Sequence, residues 1–301
     1  MSYITTISVA ICTYNGEKYL TEQLESILAQ ETPVDEIIIC DDGSTDGTPL
    51  LLKEYQAQFP KLFRLFFNDE NLGYVRNFEK AISLCAKDLI FLCDQDDIWH
   101  KNKVARVKQV FSDNIKTKVL CHNFSLLLDM ESEKNYWKQH SFEPKQSNEQ
   151  ILKIVLFKGN IFPGMAMVLS KKAKMDYLPL KKLNNLLIHD FELVIKSLKE
   201  NTLFILDEKL GLYRIHDDQN IGFKLKKEKE RISAEDLYAK IKSIDYIKII
   251  VSNFDLKKGL IDEYKIIVTK YYNDYLDQFT VWKRLYIKLK LNYYYKLTNF
   301  K

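Results

Sequence analysis

Three carboxylates fall within four residues where a short apolar run stops: Leu89-Ile90-Phe91-Leu92-Cys93 gives way to Asp94-Gln95-Asp96-Asp97. Acids this crowded repel one another unless a cation sits among them. Hard divalent ions such as Mg2+ or Mn2+ take oxygen ligands and commonly share them with substrate phosphates. Asp94, Asp96 and Asp97 are therefore read as a metal and diphosphate site. The competing reading makes Asp96 or Asp97 the N-cap of a following helix and leaves the others solvated. Two more polar clusters close apolar runs: Thr13-Tyr14 after Ile7–Cys12, and Asp41-Asp42 after Glu36–Cys40.

The elements that must position these groups follow from periodicity. Each apolar run has the length of a buried strand. Between them, Tyr19, Leu20, Leu24, Ile27 and Leu28 share one helical face. Thr48-Pro49 predicts an N-cap and first helical residue, opening a helix to about Phe59. Leu62–Phe67 reads as a third strand, and Val75, Phe78, Ala81, Ile82 and Cys85 as the apolar side of the next helix. Such alternation predicts an α/β fold, a mostly parallel sheet flanked by helices. Right-handed crossovers gather the polar strand ends on one edge, where open α/β sheets bind ligands. A core-only account does not predict that convergence. The chain lacks both G-x-x-x-x-G-K-[ST] and a G-x-G-x-x-G turn after the first strand, so phosphate charge falls to a metal and to side chains.

A second block carries Val119–Cys121 as a strand and a polar stretch, 129–147, read as a loop. Ser147-Asn148-Glu149-Gln150 is a capping box opening a helix to Phe157. Gly159–Gly164 reads as a turn, Met165–Leu169 as a strand, and Ile188-His189-Asp190-Phe191 as the start of a helix to about Lys199. Leu203–Leu206 and Leu212–Ile215 read as two short strands.

The 301 residues are 46% hydrophobic and 29% charged, enough for a full core and an appendage. No apolar run approaches a bilayer span, and the N-terminus lacks a signal-peptide pattern. Five cysteines without a Cys-x-x-Cys pair argue against disulfides or zinc and for the cytoplasm. Residues 224–301 carry 18 Lys and Arg against 10 Asp and Glu, a net of +8, leaving −4 on residues 1–223. Two units are expected, the second a basic, Tyr/Lys-rich helical extension. In it Leu256, Leu260, Ile261, Tyr264, Ile267, Val268, Tyr271, Tyr275 and Leu276 keep helical spacing. Residues 280–301 hold six Lys/Arg, six aromatics and no acid. Either this segment lies on the inner face of an anionic membrane, or its apolar face packs on the first unit or on another subunit.

Over about residues 5–222 the chain resembles a family 2 glycosyltransferase of the GT-A fold. Thr13-Tyr14-Asn15-Gly16, Asp41-Asp42-Gly43-Ser44-Thr45-Asp46, Asn71-Leu72-Gly73, Asp94-Gln95-Asp96-Asp97 and His189-Asp190 carry the resemblance as an ordered set. The acidic motif and Tyr213-Arg214-Ile215-His216 resemble bacterial rhamnosyltransferase-like members. The resemblance implies that Thr13, Tyr14 and Asp42 hold the nucleoside and that Arg76 lies near the nucleotide. It assigns Asp96 to ribose and metal, Asp97 to metal, His216 to the metal or diphosphate, and Asp190 to the catalytic base. Asp94 has no firm assignment. His189 replaces the Glu of the usual Glu-Asp pair, so the resemblance gives it no role. The Q-x-x-R-W motif of processive synthases is absent, which implies one sugar added per encounter.

The expectation is thus an inverting, Mn2+- or Mg2+-dependent transfer from a UDP- or dTDP-sugar to a glycan, glycolipid or glycoprotein hydroxyl, with no nucleic-acid partner. The aromatic helical tail also suits self-association. Two rivals stand beside it: a nucleotidyl- or phosphotransferase using the same acids, and a non-catalytic sugar-nucleotide-binding assembly subunit.

Overall fold

The structure, a computed structural model, describes residues 5–127, 134–139, 142–180, 188–216 and 233–278. It divides into two compact units, Met1–Phe223 and Lys224–Lys301.

The first unit runs β1 (Ile7–Thr13), α1 (Glu17–Leu28), β2 (Glu36–Asp41), α2 (Thr48–Gln58), β3 (Phe63–Phe67), α3 (Tyr74–Leu84), β4 (Leu89–Cys93) and β5 (Ile98–Trp99). It continues through α4 (Lys103–Asp113), β6 (Val119–Leu127), β7 (Lys134–Asn135), α5 (Tyr136–Gln139) and α6 (Asn148–Lys158). A 3-10 turn (Gly164–Ala166), β8 (Met167–Ser170), α7 (Lys171–Tyr177), α8 (His189–Lys199) and β9 (Leu203–Arg214) follow.

One sheet has the order β3-β2-β1-β4-β8-β6-β9-β5, with β7 paired to β6. The half from β3 to β4 is parallel, as βαβ alternation requires. Beyond β4 the sheet is mixed: β8 runs antiparallel to β4 and β6, β6 is parallel to β9, and β5 is antiparallel to β9. Strands β1, β2 and β4 are buried almost throughout because both faces are covered. On one face Ile7, Val9, Ile11, Ile37, Ile39 and Phe91 pack with Leu20, Leu24, Leu52, Val104 and Val107 of α1, α2 and α4. Helix α3 covers β1 and β2 with its buried Val75, Phe78, Ala81 and Ile82.

Several expectations change. Thr48 is the first residue of α2 rather than its cap: Gly47 stands at the cap, and the Thr48 hydroxyl instead accepts the Gly16 N–H (2.8 Å). Part of the stretch read as a polar loop, 129–147, holds β7 and α5, because Trp137 and Phe142 bury their rings against each other and Phe162. The two short strands read in 203–215 are one, β9, and bulges opposite His122 and Asn123 let it bend without breaking. The Ser147 capping box is present as read.

The second unit is a helical pair, α9 (Ala234–Asn253) and α10 (Gly259–Asp277), packed together. Ser233 and Asp236 form a capping box at the start of α9. Leu260, Tyr264, Val268, Tyr275 and Leu276 are buried, whereas Ile267, expected on the same face, is exposed. Among the described residues no helix is long and apolar enough to cross a membrane. The basic, aromatic segment 280–301 lies outside the described residues.

Candidate active site

The carboxyl ends of β1, β2 and β4 lie side by side, with Thr13 opposite Asp41 and Ile11 opposite Cys93. The Thr13 hydroxyl donates to Asp41 Oδ2 (2.8 Å), and Asp41 also accepts from the Ser44 N–H (2.9 Å) and hydroxyl. Asp41 therefore closes its own turn. Asp42 donates its N–H to the Thr13 carbonyl (2.8 Å). Its buried carboxylate accepts from Asn68 Nδ2 (2.7 Å), Leu72 N–H (2.8 Å) and Gly73 N–H (2.9 Å). Gly73 takes φ +78°, a conformation costly for a side chain, to bring that N–H round. Asp42 thus shapes the loop that precedes α3. Arg76, on the first turn of α3, is exposed and has no partner among the described residues.

Tyr14 leaves 40% of its surface exposed while Gln95 clamps its backbone. The Tyr14 N–H donates to Gln95 Oε1 (2.8 Å), and Gln95 Nε2 donates to the Tyr14 carbonyl (3.1 Å). Gly16 permits this approach, since a Cβ there would sit 2.3 Å from Gln95 Oε1. The first motif is thereby tied to the acidic one.

Within the acidic motif the residues part company. Asp97 is buried; its Oδ1 accepts the Arg214 N–H (3.0 Å), and its Oδ2 has no partner among the described residues. Burial, and then the charges of Asp96 and Asp94, hold its carboxyl well above the usual range. Asp96 Oδ2 lies 2.8 Å from His216 Nε2, and the His216 ring rests on Tyr19 with centroids 4.7 Å apart, leaving Nδ1 buried and without a partner among the described residues. Arg214 donates Nε to the Asp96 carbonyl (2.8 Å), pairs with Glu22 and stacks over Tyr19. Neither acid caps a helix, because β5 intervenes and α4 starts only at Lys103. Among the described residues no three His, Cys, Asp or Glu side chains already form a coordination sphere. Asp97 Oδ2 and His216 Nδ1, both without a hydrogen-bond partner among the described residues, nonetheless are of the oxygen and imidazole types a divalent ion takes.

Opposite this cluster, Asp190 occupies the first turn of α8, whose cap is Ile188. Asp190 Oδ1 accepts the Phe191 N–H (2.6 Å), and the Asn160 side chain donates instead to the Phe162 carbonyl (3.1 Å). Burial outweighs the lowering influence of the Phe191 N–H and of the nearby Asn160 and Gly164, and pushes the Asp190 carboxyl up to about 7. Asp94 is likewise pushed up to about 7, by burial and then by the charges of Asp96 and Asp190, despite the lowering influence of the nearby Met165 N–H. The acidic motif and Asp190 therefore share one electrostatic site. His189 stacks on Phe78, ring centroids 4.2 Å apart, with neither ring nitrogen bonded among the described residues; burial pushes it down to about 3, so it is neutral.

Sequence reasoning missed four groups that hold this arrangement: Gln95, Lys103, Asn160 and the turn at Gly164. Lys103 is wholly buried, its Nζ donating to the Met165 carbonyl (2.8 Å) and lying 4.0 Å from the Trp99 ring centroid. A lysine one position into a helix reads as solvated, so composition gave no signal. Asn160 and Gly164 were visible only as turn residues.

The mixed sheet with flanking helices is the GT-A fold. Solved structures that share it include S. aureus TarS residues 1–349 in complex with UDP-GlcNAc (18% identical, TM-score 0.60, covering 90% of this chain and 73% of that one). Another is the mannosyltransferase PcManGT from Pyrobaculum calidifontis with GDP-Man and Mn2+ (15% identical, TM-score 0.52, covering 72% of this chain and 59% of that one). The family model for glycosyl transferase family 2 matches residues 8–177, and the chain belongs to that family. Among its relatives is the dTDP-rhamnosyl transferase RfbG of Shigella flexneri, 28% identical over 225 residues, 70% of this chain and 73% of that protein. The chain spans 59% of the length of its mycobacterial relatives, to which it is 28% identical over 213 residues.

Proposed function

We propose that this chain transfers a single sugar from a nucleotide-diphosphate donor to a hydroxyl of a glycan, glycolipid or glycoprotein acceptor, with inversion at the anomeric carbon. The observation that carries the reading is the pairing of two unlike carboxyl centres across one site. On one side an orphaned Asp97 oxygen neighbours the Asp96–His216 pair; on the other stands Asp190, raised to about 7. Family membership supports it, as do the donors seen with its structural neighbours, UDP-GlcNAc for TarS and GDP-Man with Mn2+ for PcManGT.

In this reading the exposed Tyr14 ring, with Thr13 and the loop that Asp42 holds, receives the nucleoside, and the exposed Arg76 meets the nucleotide. Asp96, Asp97 and His216 would hold Mn2+ or Mg2+, which supplies positive charge for the departing diphosphate. Asp190 accepts the proton of the acceptor hydroxyl; a base near 7 is half-ionised at neutral pH yet basic enough to assist attack. A single base and a single displacement give inversion.

The test is a screen of UDP-, dTDP- and GDP-sugars for slow hydrolysis with Mn2+ or Mg2+, which needs no acceptor, followed by NMR of the transfer product. Nucleoside diphosphate release and an inverted anomer are expected. Pyrophosphate as the product, or binding without turnover for every donor, would overturn the proposal.

A further inference from the structure

A tyrosine near the start of α1 carries the end of β9. The periodicity of α1 puts Tyr19 on its apolar face, yet the side chains that helix buries are Leu20, Gln23, Leu24 and Ile27. The Tyr19 ring meets two residues from the other half of the sheet instead. Its centroid lies 4.7 Å from that of the His216 ring and 4.8 Å from the guanidinium carbon of Arg214. Both distances fall where aromatic pairs and cation–π contacts attract. Glu22, three residues on and so on the same side of α1, pairs with Arg214.

These contacts matter because β9 stops short of His216. Its last rung joins Arg214 to Leu127 of β6, and His216 lies two residues further on. The ladder therefore does not set where the His216 ring goes. Side chains do: Asp96 Oδ2 lies 2.8 Å from Nε2, and the Tyr19 ring lies against the imidazole. Arg214 reaches the same acidic motif, its N–H donating to Asp97 Oδ1 (3.0 Å) and its Nε to the Asp96 carbonyl (2.8 Å). Tyr19 thus underlies both residues through which β9 meets Asp96 and Asp97.

The ring stands on a firm base. Leu20 beside it is wholly buried, and Glu17 ties the first turn of α1 to the start of α2. The Glu17 N–H donates to Asp46 Oδ2 (3.1 Å), and its carboxylate accepts the Gly47 N–H (2.9 Å). The two holds on Arg214 differ in weight. With 57% of the Glu22 side chain exposed, solvent screens that ion pair. The Arg214 and His216 side chains are largely buried, so their contacts with the ring are the stronger restraint.

We infer that Tyr19 is a positioning residue of the metal site: its ring seats His216 and Arg214, and so fixes how Asp96 and Asp97 are presented to a divalent ion. This role rests on the reading that Asp96, Asp97 and His216 hold that ion; the seating of the β9 end does not.

Tyr19→Leu keeps an apolar side chain and removes the ring, whereas Tyr19→Phe keeps the ring. By hydrogen exchange on the metal-free full chain, the amides of residues 213–216 should exchange at least ~10-fold faster in Tyr19→Leu and at the unsubstituted rate in Tyr19→Phe. By calorimetry with Mn2+ alone, affinity should fall at least ~10-fold in Tyr19→Leu, the low end for groups that orient metal ligands, and by less than about threefold in Tyr19→Phe. A role confined to packing α1 would lower the melting temperature and leave Mn2+ affinity where it was. Tyr19→Met, also apolar and without a ring, should behave as Tyr19→Leu and covers a leucine variant that does not fold. Unchanged exchange at 213–216 in either folded variant would overturn the inference, as would equal losses in Tyr19→Phe. So would an Mn2+ affinity that loss of the ring does not lower, and the metal reading would then stand. Absence of Mn2+ and Mg2+ binding in the unsubstituted chain, with the exchange shift present, would refute the metal reading and leave Tyr19 only as the seat of the β9 end.

Discussion

Replacing Asp190 by Asn should move activity and stability in opposite directions. The carboxyl titrates near 7 in the fold against an ordinary 3.8. Between those values the native state holds the proton more tightly than the unfolded chain. The stabilisation is complete below about pH 4 and is lost as pH rises through about 7. At about 1.4 kcal/mol per pH unit, holding the carboxylate ionised at pH 8 costs the fold at most about 4 kcal/mol. Asn keeps an oxygen for the Phe191 N–H and carries no charge. If half of that ceiling is recovered, the melting temperature should rise by about 4–8 °C at pH 8 and hardly at all at pH 4. Transfer should fall at least ~100-fold while the donor still binds, because the acceptor hydroxyl loses its base. The unsubstituted enzyme should lose rate about tenfold per pH unit below 7. Differential scanning fluorimetry at the two pH values, donor calorimetry and a transfer assay read all of this. Near-normal turnover, or a lower melting temperature at pH 8, would refute the reasoning.

Three further outcomes follow from other parts of the first unit. Asp97→Asn keeps the acceptor for the Arg214 N–H but loses the orphaned anionic oxygen; by calorimetry its Mn2+ affinity should fall at least ~30-fold, and chelator should abolish turnover in the unsubstituted chain. Asp42→Asn sets an amide donor against either the Gly73 or the Leu72 N–H, so hydrogen exchange should show residues 68–73 loosened and stability lowered by about 1–3 kcal/mol. Ser147→Ala removes the capping box of α6 and should cost about 1 kcal/mol in denaturant melts without altering donor binding.

What was legible in the sequence was whatever repeated or stopped abruptly. The runs ending at Cys12, Cys40 and Cys93 marked β1, β2 and β4, and their polar ends do meet, because parallel crossovers leave no other arrangement. Asp190 and His216 became candidates through resemblance, and the fold brings His216 onto Asp96 although 120 residues separate them. The second half of the sheet was harder to read. The bulges in the pairing of β6 with β9 break the alternation that marks a strand, and α5 depends on Trp137 finding Phe142 and Phe162. Lys103 was invisible because its role depends on which carbonyl it meets. The backbone N–H groups of Gly164 and Met165 carry no side-chain signature at all.

The seam between the two halves of the sheet is narrow: β4 and β8 pair antiparallel over Leu89–Ser170, Ile90–Leu169 and Phe91–Val168. Thr13, Asp42 and Asp94 stand on one side of it, and Asp190 and His216 on the other. The residues proposed to receive the nucleoside can therefore stay constant while the elements past the seam are exchanged, provided that Arg214 and His216 are kept against the acidic motif. That predisposes the scaffold to acquire new acceptors by grafting, with the three-rung junction as the natural place to join one parent to another.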